Sequence, residues 1–400
     1  TIIDLLNQSV DKYSENPFLW EKTGNEFVPT TYSETKQQAH ILAAGLMKLG
    51  VEKGDRIALL SEGRNAWIIG ELGILHAGAI NVPLSIKLEE SNDLIFRLKH
   101  SEAKYIMVSG GQLRKIRAIA AALPEVKNII IFDEQADYEA NELTLQMLMA
   151  WGKDVLSKNP DKVKIVASTI KPDDLANISY TSGTTADPKG IMLTHRNYTA
   201  NVEQALTLMS IPTSYRTLLI LPLDHCFAHV AGFYSFMASG ASVGTVQAGR
   251  TGMETLKNIP INIKELKPNL LLSVPALAKS FRKNIETNIR AKGPVINWLF
   301  NNALEMSYSY NKEGFNKGQG LQMLNKPLLW LFDKILFSKV REAFGGQLDF
   351  FIGGGALLDI DLQRFYYAIG IPMFQGYGLS EATPIISSNG LKRHKLGSSG

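Results

Sequence analysis

The sequence predicts an α/β protein built on parallel sheets with helices packed over their faces. Three observations carry this. Short runs rich in Val, Ile, Leu and Phe alternate with longer segments of helical periodicity, the pattern of successive βα units. The short runs are continuous apolar stretches rather than strict alternations, which suits strands covered on both faces. No internal repeat of fixed period interrupts the pattern.

The elements follow in order. Thr1–Tyr13 is amphipathic and carries Asp4, Asp11 and Lys12, so it does not read as a targeting signal. A helix is expected at Tyr32–Leu49, then strand Arg56–Leu60, helix Asn65–His76 and strand Ala79–Leu84. Helix Glu89–Lys99, strand Tyr105–Val108, helix Leu113–Ala122 and strand Asn128–Phe132 continue the alternation. A boundary is expected at Ser157–Pro172, where Lys and Asp gather around Pro160. It divides an N-terminal α/β subdomain, residues 1–172, from residues 173–400. Beyond it come strand Ala176–Tyr180, helix His195–Ser210 and strand Thr217–Leu221. Val230–Gly249 is uncharged and long enough to span a bilayer, but it is heavy in Gly, Ser and Ala. It is read as a buried helix, Ala231–Ala238, and a strand, Ala241–Val246. Helix Thr251–Leu266, strand Leu270–Val274, helix Pro275–Ile285, strand Asp349–Ile352, helix Ile360–Ile369 and strand Met373–Gln375 complete the series. Lys292–Lys339 has no strand signals and is rich in Leu, Trp and Phe.

Composition narrows the function classes. With 45% hydrophobic and 20% charged residues over 400 positions, the chain is neither disordered nor low in complexity. Cys226 is the only cysteine, which excludes disulfides and Cys-based zinc sites and fits a reducing, cytoplasmic setting. A net charge of +4 is too mild to imply nucleic acid.

Four loops hold the chemistry. Ser179–Gly190, SYTSGTTADPKG, gathers the hydroxyls of Thr181, Ser182, Thr184 and Thr185 around Gly183 and ends on Lys189. Hydroxyls and backbone N–H groups donate to phosphate oxygens, Gly lets the backbone approach, and Lys adds a point charge. The Walker pattern is not met, because Lys189 precedes Gly190 and no Ser or Thr follows it. Leu221–His229, LPLDHCFAH, ends a strand and presents Asp224, His225 and His229; Asp224 and His225 are too few to argue for a metal site, while a His lining a substrate pocket at a strand's C-terminal end fits an open α/β sheet. A Ser-His-Asp triad lacks its G-x-S-x-G elbow. Gly353–Leu358, GGGALL, follows a strand and suits either a flat ligand or a tight strand-to-helix turn. Gln375–Pro384, QGYGLSEATP, offers Tyr377 between Gly376 and Gly378 for stacking on a base, then Ser380 and Glu381. Glu381 suits Mg²⁺, which takes one or two carboxylates beside phosphates. The alternative is a helix start capped by Ser380.

In this order, YTSGTTADPKG, LPLDHCF, GGGALL and QGYGLSEATP resemble the acyl-activating, adenylate-forming enzyme superfamily, and within it the long-chain fatty acid–CoA ligases. The resemblance extends over VEKGDRIALLSEGRNAW and LGILHAGAINVPL. It implies the large N-terminal domain of that family, with parallel sheets flanked by helices in several subdomains. It also implies the chemistry: a fatty-acid carboxylate attacks the α-phosphorus of ATP, pyrophosphate leaves, and the thiol of CoA then displaces AMP. Residue by residue, Thr181, Ser182, Gly183, Thr184, Thr185 and Lys189 would cradle the β- and γ-phosphates. Gly353, Gly354, Gly355 and Ala356 would line the adenine pocket, with Tyr377 stacked on the base and Gln375, Gly376 and Gly378 beside it. Ser380 would touch the α-phosphate, Glu381 would hold Mg²⁺, and His225 would sit beside the reacting carboxylate. His225 need not act as a base, since a fatty acid is already ionised at neutral pH.

The sequence departs from the family in three places. Ala186 stands where the family has Gly, and Ser380 replaces Thr but keeps the hydroxyl. The family pattern continues beyond the equivalent of Gly400 with a Thr-Gly-Asp segment, a hinge and a small C-terminal catalytic domain. The chain therefore reads as the large N-terminal portion, expected to bind nucleotide weakly and adenylate little by itself. A carrier-protein thiol as acceptor, or a nucleotide- or lipid-binding module without turnover, are the alternatives.

Helices near 292–340 resemble the insertion of long-chain members. From Ile261 to Gly345 there are 13 Lys or Arg and 6 Asp or Glu, a net +7 that leaves −3 for the rest. Basic charge beside Trp298, Trp330 and neighbouring Leu and Phe suits contact with an anionic membrane surface; a solvated helical face is the alternative.

Overall fold

The computed structural model describes residues 1–89, 91–181 and 188–400. Two sheets form the frame. The first has seven strands in the order Glu142–Thr144, Asn128–Ile131, Ala103–Val108, Arg56–Leu60, Ile80–Pro83, Leu175–Tyr180 and Gly190–Thr194. The second has eight, in the order Ile385–Ser388, Met373–Gly378, Phe350–Gly353, Leu270–Ser273, Arg216–Leu219, Ser242–Thr245, Pro17–Thr23 and Glu26–Thr31. Neighbours within each sheet are parallel except at three edges, where Gly190–Thr194, Ile385–Ser388 and Glu26–Thr31 run antiparallel.

The expected α/β fold is therefore present, and all ten expected strands lie in these sheets. The sheets do not follow the expected boundary at residue 172. Strands Leu175–Tyr180 and Gly190–Thr194 complete the first sheet, while the hairpin Pro17–Thr31 joins the second. Helix Leu145–Lys158 ends in the stretch read as a boundary, and helix Lys162–Ala167 lies within it. Val230–Gly249 forms buried helix and strand, and among the described residues no helix is long and apolar enough to cross a membrane.

Period-two alternation explains the layering. Ile57 and Leu59 face a central core shared with helices Tyr32–Leu49 and Asn65–His76, whereas Ala58 and Leu60 face helices Asn92–His100 and Gly110–Ile119. In the second sheet Leu270 and Leu272, with Phe350 and Ile352, join the same central core. Leu271 and Phe351 turn to the opposite face, against helices Pro275–Ala291, Pro294–Asn311 and Ile360–Ala368. Helices thus lie outside both sheets and between them, so the inner strands are buried on two faces, as their unbroken apolar runs require.

Local signals set the helix ends. Thr31 Oγ1 accepts the Glu34 N–H at 3.2 Å while the Glu34 carboxylate accepts the Thr31 N–H at 2.8 Å, and Gly50 closes the helix at φ +100°. Thr194 and Asn197 make the same reciprocal pair ahead of helix His195–Leu208. His195 is a structural residue of that helix start. Burial brings its imidazole down to about 4, and its Nδ1 accepts the Ile2 N–H at 3.3 Å.

The segment rich in Leu, Trp and Phe is helical over Pro294–Asn311 and Lys326–Glu342. Its apolar residues divide. Phe300, Phe332, Leu336 and Phe337 enter the core, while Leu321, Leu324 and Trp330 stand 82%, 76% and 60% exposed. Lys334 lies over the Trp330 ring, 4.0 Å from its centroid.

Candidate functional site

The C-terminal ends of strands from both sheets open into one cavity of about 820 Å³. Its wall takes Leu221 beyond strand Arg216–Leu219, Val274 beyond Leu270–Ser273, Gly354 beyond Phe350–Gly353, and Thr181 beyond Leu175–Tyr180. This is where ligands bind in open α/β sheets, because the strand ends splay and leave a crevice between the following loops.

The sequence-expected residues are largely brought together here. Thr181, His225, Gly354, Gly355, Ala356, Gly376, Tyr377, Gly378, Ser380 and Glu381 all line the cavity. Gly353, Gln375 and Lys189 do not. Gly353 is the last residue of its strand, paired in register with Gln375. Gln375 is buried; its side chain accepts the Leu358 N–H at 2.6 Å and donates to the Gly376 carbonyl at 2.6 Å. It therefore ties the GGGALL loop to the QGYG loop rather than facing a ligand. Lys189 is exposed, and its carbonyl accepts the Thr181 N–H at 3.1 Å, closing the base of the loop before the antiparallel return strand Gly190–Thr194. Ser182, Gly183, Thr184 and Thr185 lie outside the described residues.

Backbone crowding accounts for two glycines. A Cβ on Gly354 would stand 3.0 Å from the Phe227 ring, so this glycine lets the LPLDHCF and GGGALL segments meet. A Cβ on Gly378 would stand 2.1 Å from the Pro384 carbonyl oxygen, which itself accepts the Leu379 N–H at 3.0 Å. The loop carrying Tyr377, Ser380 and Glu381 closes on itself at that point. Tyr377 is half exposed, so its ring is available for stacking. Ser380 is the first residue of a single 3₁₀ turn, and its side chain caps nothing.

His225 is exposed at the cavity edge, with Nε2 3.9 Å from Asp224 Oδ2, beyond hydrogen-bond reach. Behind it the chain enters a π-helical turn, Ala228–Tyr234. Ala228 and Ala231 face the cavity, while His229 and Tyr234 face away. There His229 Nε2 donates to Glu71 Oε2 at 3.0 Å and Tyr234 donates to Glu71 Oε1 at 2.8 Å, all three fully buried. Such turns widen a helix by one residue and recur at functional sites. His229 is therefore a buried support and not a wall residue. Cys226 does line the cavity. Burial pushes its thiol up, Glu381 adds to this and a Ser380 hydrogen bond opposes it, so the thiol is a poor nucleophile.

Part of the cavity wall is apolar, formed by Ala205, Leu208 and Met209 from helix His195–Leu208 and its end, with Ile211, Leu221 and Ala231. Sequence reasoning missed these, since their periodicity looks like ordinary helix packing. It also missed Lys87, the only Lys or Arg on the described wall. Glu381 is exposed and, among the described residues, makes no ion pair. Among the described residues no group of three or more His, Cys, Asp or Glu could cage a metal, so Mg²⁺ would need phosphate ligands beside this carboxylate.

Comparison with known proteins matches residues 6–400 to the model of a family described as AMP-binding enzyme. The chain is 25% identical to the long-chain-fatty-acid–[acyl-carrier-protein] ligase AEE15 of Arabidopsis thaliana, over 99% of this chain and 58% of that protein. It is 27% identical to the long-chain-fatty-acid–CoA ligase ACSBG2 of Xenopus laevis, over 96% of this chain and 51% of that protein. It thus spans little more than half the length of these relatives. Among solved structures, the anthranilate CoA ligase AuaEII in complex with anthranoyl-AMP superposes with a TM-score of 0.71 at 18% identity, covering all of this chain and 63% of that one. The N-terminal domain of FACL13 from Mycobacterium tuberculosis superposes at 0.67 and 20% identity, covering 97% and 78%. These likenesses establish the fold.

Proposed function

Because the chain belongs to the AMP-binding enzyme family, we propose that its cavity binds ATP and a long-chain fatty acid together and serves acyl adenylation. The single observation that carries this is the joining of two unlike regions in one cavity. Gly354–Ala356, Tyr377 and Ser380 form a polar, backbone-rich part of its wall, and Ala205, Leu208, Met209 and Ala231 form an apolar one. His225 stands on the same wall, where the carboxylate would meet the α-phosphate. The carboxylate oxygen forms a bond to the α-phosphorus, and the bond to the β-phosphate breaks, its electrons leaving with pyrophosphate. Thr181 and the loop after it would donate to that leaving group, whose charge develops in the transition state. Ser380 would hold the α-phosphate and Tyr377 the base. Mg²⁺, held by Glu381 and the phosphates, would neutralise charge on the phosphate oxygens.

In the second half-reaction a thiol displaces AMP. We take that thiol to be CoA, as in the name of the Xenopus relative; the Arabidopsis relative's name favours a carrier-protein acceptor instead. Titration with a non-hydrolysable oleoyl-adenylate analogue tests the shared cavity. Saturable binding displaced by either ATP or oleate is expected, and displacement by only one of them would disprove it.

We also assign an anionic membrane surface as a partner, through the exposed face holding Leu321, Leu324, Trp330 and Lys334. Co-sedimentation with phosphatidylcholine vesicles containing about one-third phosphatidylglycerol should fall roughly ten-fold or more in the Leu324→Ser, Trp330→Ser double variant, since each substitution removes a large apolar side chain. Equal sedimentation with and without the anionic lipid would exclude the electrostatic contribution.

A further inference from the structure

We infer that Lys87 is a polyphosphate-binding residue, grasping the pyrophosphate portion of ATP at the rim of the cavity. The inference rests on the adenylation reading above and adds a contact that no sequence motif marks.

Strand Ile80–Pro83 runs parallel to strand Leu175–Tyr180, with Asn81 opposite Asn177. Counting on from that pair, Ser85 and Thr181 leave the same end of the sheet as neighbours. The segment after Pro83 thus emerges beside the start of the hydroxyl-rich loop. It forms a tight turn, with the Leu88 N–H donating to the Ser85 carbonyl at 3.1 Å and the Lys87 N–H donating to Ser85 Oγ at 3.4 Å.

This turn is anchored on both sides of Lys87. The Lys115 ammonium, reaching from helix Gly110–Ile119, donates to the Ile86 carbonyl at 2.8 Å and to the Leu88 carbonyl at 2.7 Å. The Ile86 and Leu88 side chains pack on the outer core of the first sheet. Lys115 is mostly buried and, among the described residues, has only Glu89, at 3.7 Å, as an ionic partner. The fold therefore spends one partly desolvated lysine on fixing the backbone that presents another. Lys87 itself is exposed, lines the cavity and, among the described residues, makes no side-chain hydrogen bond or ion pair.

An unpaired ammonium on an anchored turn, at the rim of a cavity also lined by Thr181, Ser380 and Glu381, suits an anion. Its position beside Thr181 selects the phosphates over the acyl carboxylate. A charge-assisted contact of this kind changes affinity roughly ten-fold or more.

Isothermal titration of the chain with ATP, inorganic pyrophosphate and AMP, in the wild type and in Lys87→Met and Lys87→Arg, tests it. Lys87→Met should weaken ATP and pyrophosphate about ten-fold and leave AMP unchanged, and Lys87→Arg should restore most of the loss. Unaltered ATP affinity in Lys87→Met would overturn the inference alone. Equal losses for ATP and AMP would do the same, by pointing to a structural role. A wild-type chain that binds none of the three would bring down the adenylation reading together with it.

Discussion

Gly378→Ala is expected to weaken binding of AMP or ATP at least ten-fold, while Gly376→Ala leaves it within about two-fold. The two glycines flank Tyr377 and look equivalent in sequence, but the space around them differs. A Cβ on Gly376 would meet its nearest neighbour, the Gly353 carbonyl oxygen, at 3.5 Å, an ordinary contact. A Cβ on Gly378 would fall 2.1 Å from the Pro384 oxygen and 2.9 Å from its carbonyl carbon. Both are backbone atoms, and the Leu379–Pro384 hydrogen bond holds them in place, so the loop must open by an ångström or more. That displaces Tyr377 on one side and Ser380 with Glu381 on the other, and misplacement of this size is costly wherever several contacts converge on one ligand. Titration of both variants with AMP, beside thermal melts that monitor the fold, checks the contrast. Equal behaviour of the two variants would rule out the steric account.

Glu71→Leu is expected to destabilise the protein by about 3–5 kcal/mol, because it leaves two buried donors unsatisfied at roughly 1–3 kcal/mol each. Glu71 accepts from both His229 and Tyr234 at the centre of the molecule. Without it, His229 Nε2 and the Tyr234 hydroxyl lose their acceptor in a region where His229 Nδ1 and the Tyr198 hydroxyl already have no partner among the described residues. Glu71→Gln keeps an acceptor oxygen and should cost less than half as much. Urea unfolding at unchanged m-value reads the difference. A midpoint within error of the wild type for Glu71→Leu would show that water or a rearranged turn replaces the carboxylate.

The frame of the fold was legible because its inner strands are buried on two faces and had to be continuously apolar. The five strands that went unread are instructive. Four of them, Glu26–Thr31, Glu142–Thr144, Gly190–Thr194 and Ile385–Ser388, are the outermost strands of the two sheets. An outermost strand is paired on one side only and is partly exposed, so it carries Glu, Pro, Ser and Thr and loses the apolar signature. The fifth, Pro17–Thr23, is half covered by such a strand.

Likewise, the polar part of the cavity wall was legible because Gly354–Ala356 and Gly376–Glu381 bring their chemistry within single short loops. Lys87 was not, because its role depends on the register between two strands separated by almost a hundred residues. The Leu and Ala positions of the apolar part were not, because a residue facing an empty channel and one facing a neighbouring helix have the same periodicity. The buried helix expected at Ala231–Ala238 is present, but its π-turn depends on where Glu71 lies, which no local pattern reveals.

The placement of Pro17–Thr23 has a consequence for how the molecule is made. This strand pairs with Ser242–Thr245, so its partner leaves the ribosome more than two hundred residues later. Until then Phe18 and Leu19, both fully buried in the finished protein, have no sheet to join. The first sheet can close once Thr194 has been synthesised, while the N-terminal hairpin waits outside it. Pairings this distant in sequence form slowly and leave apolar surface open to wrong partners. The hairpin is thus a segment of the nascent chain that stays open to wrong partners, and it settles later than the first sheet.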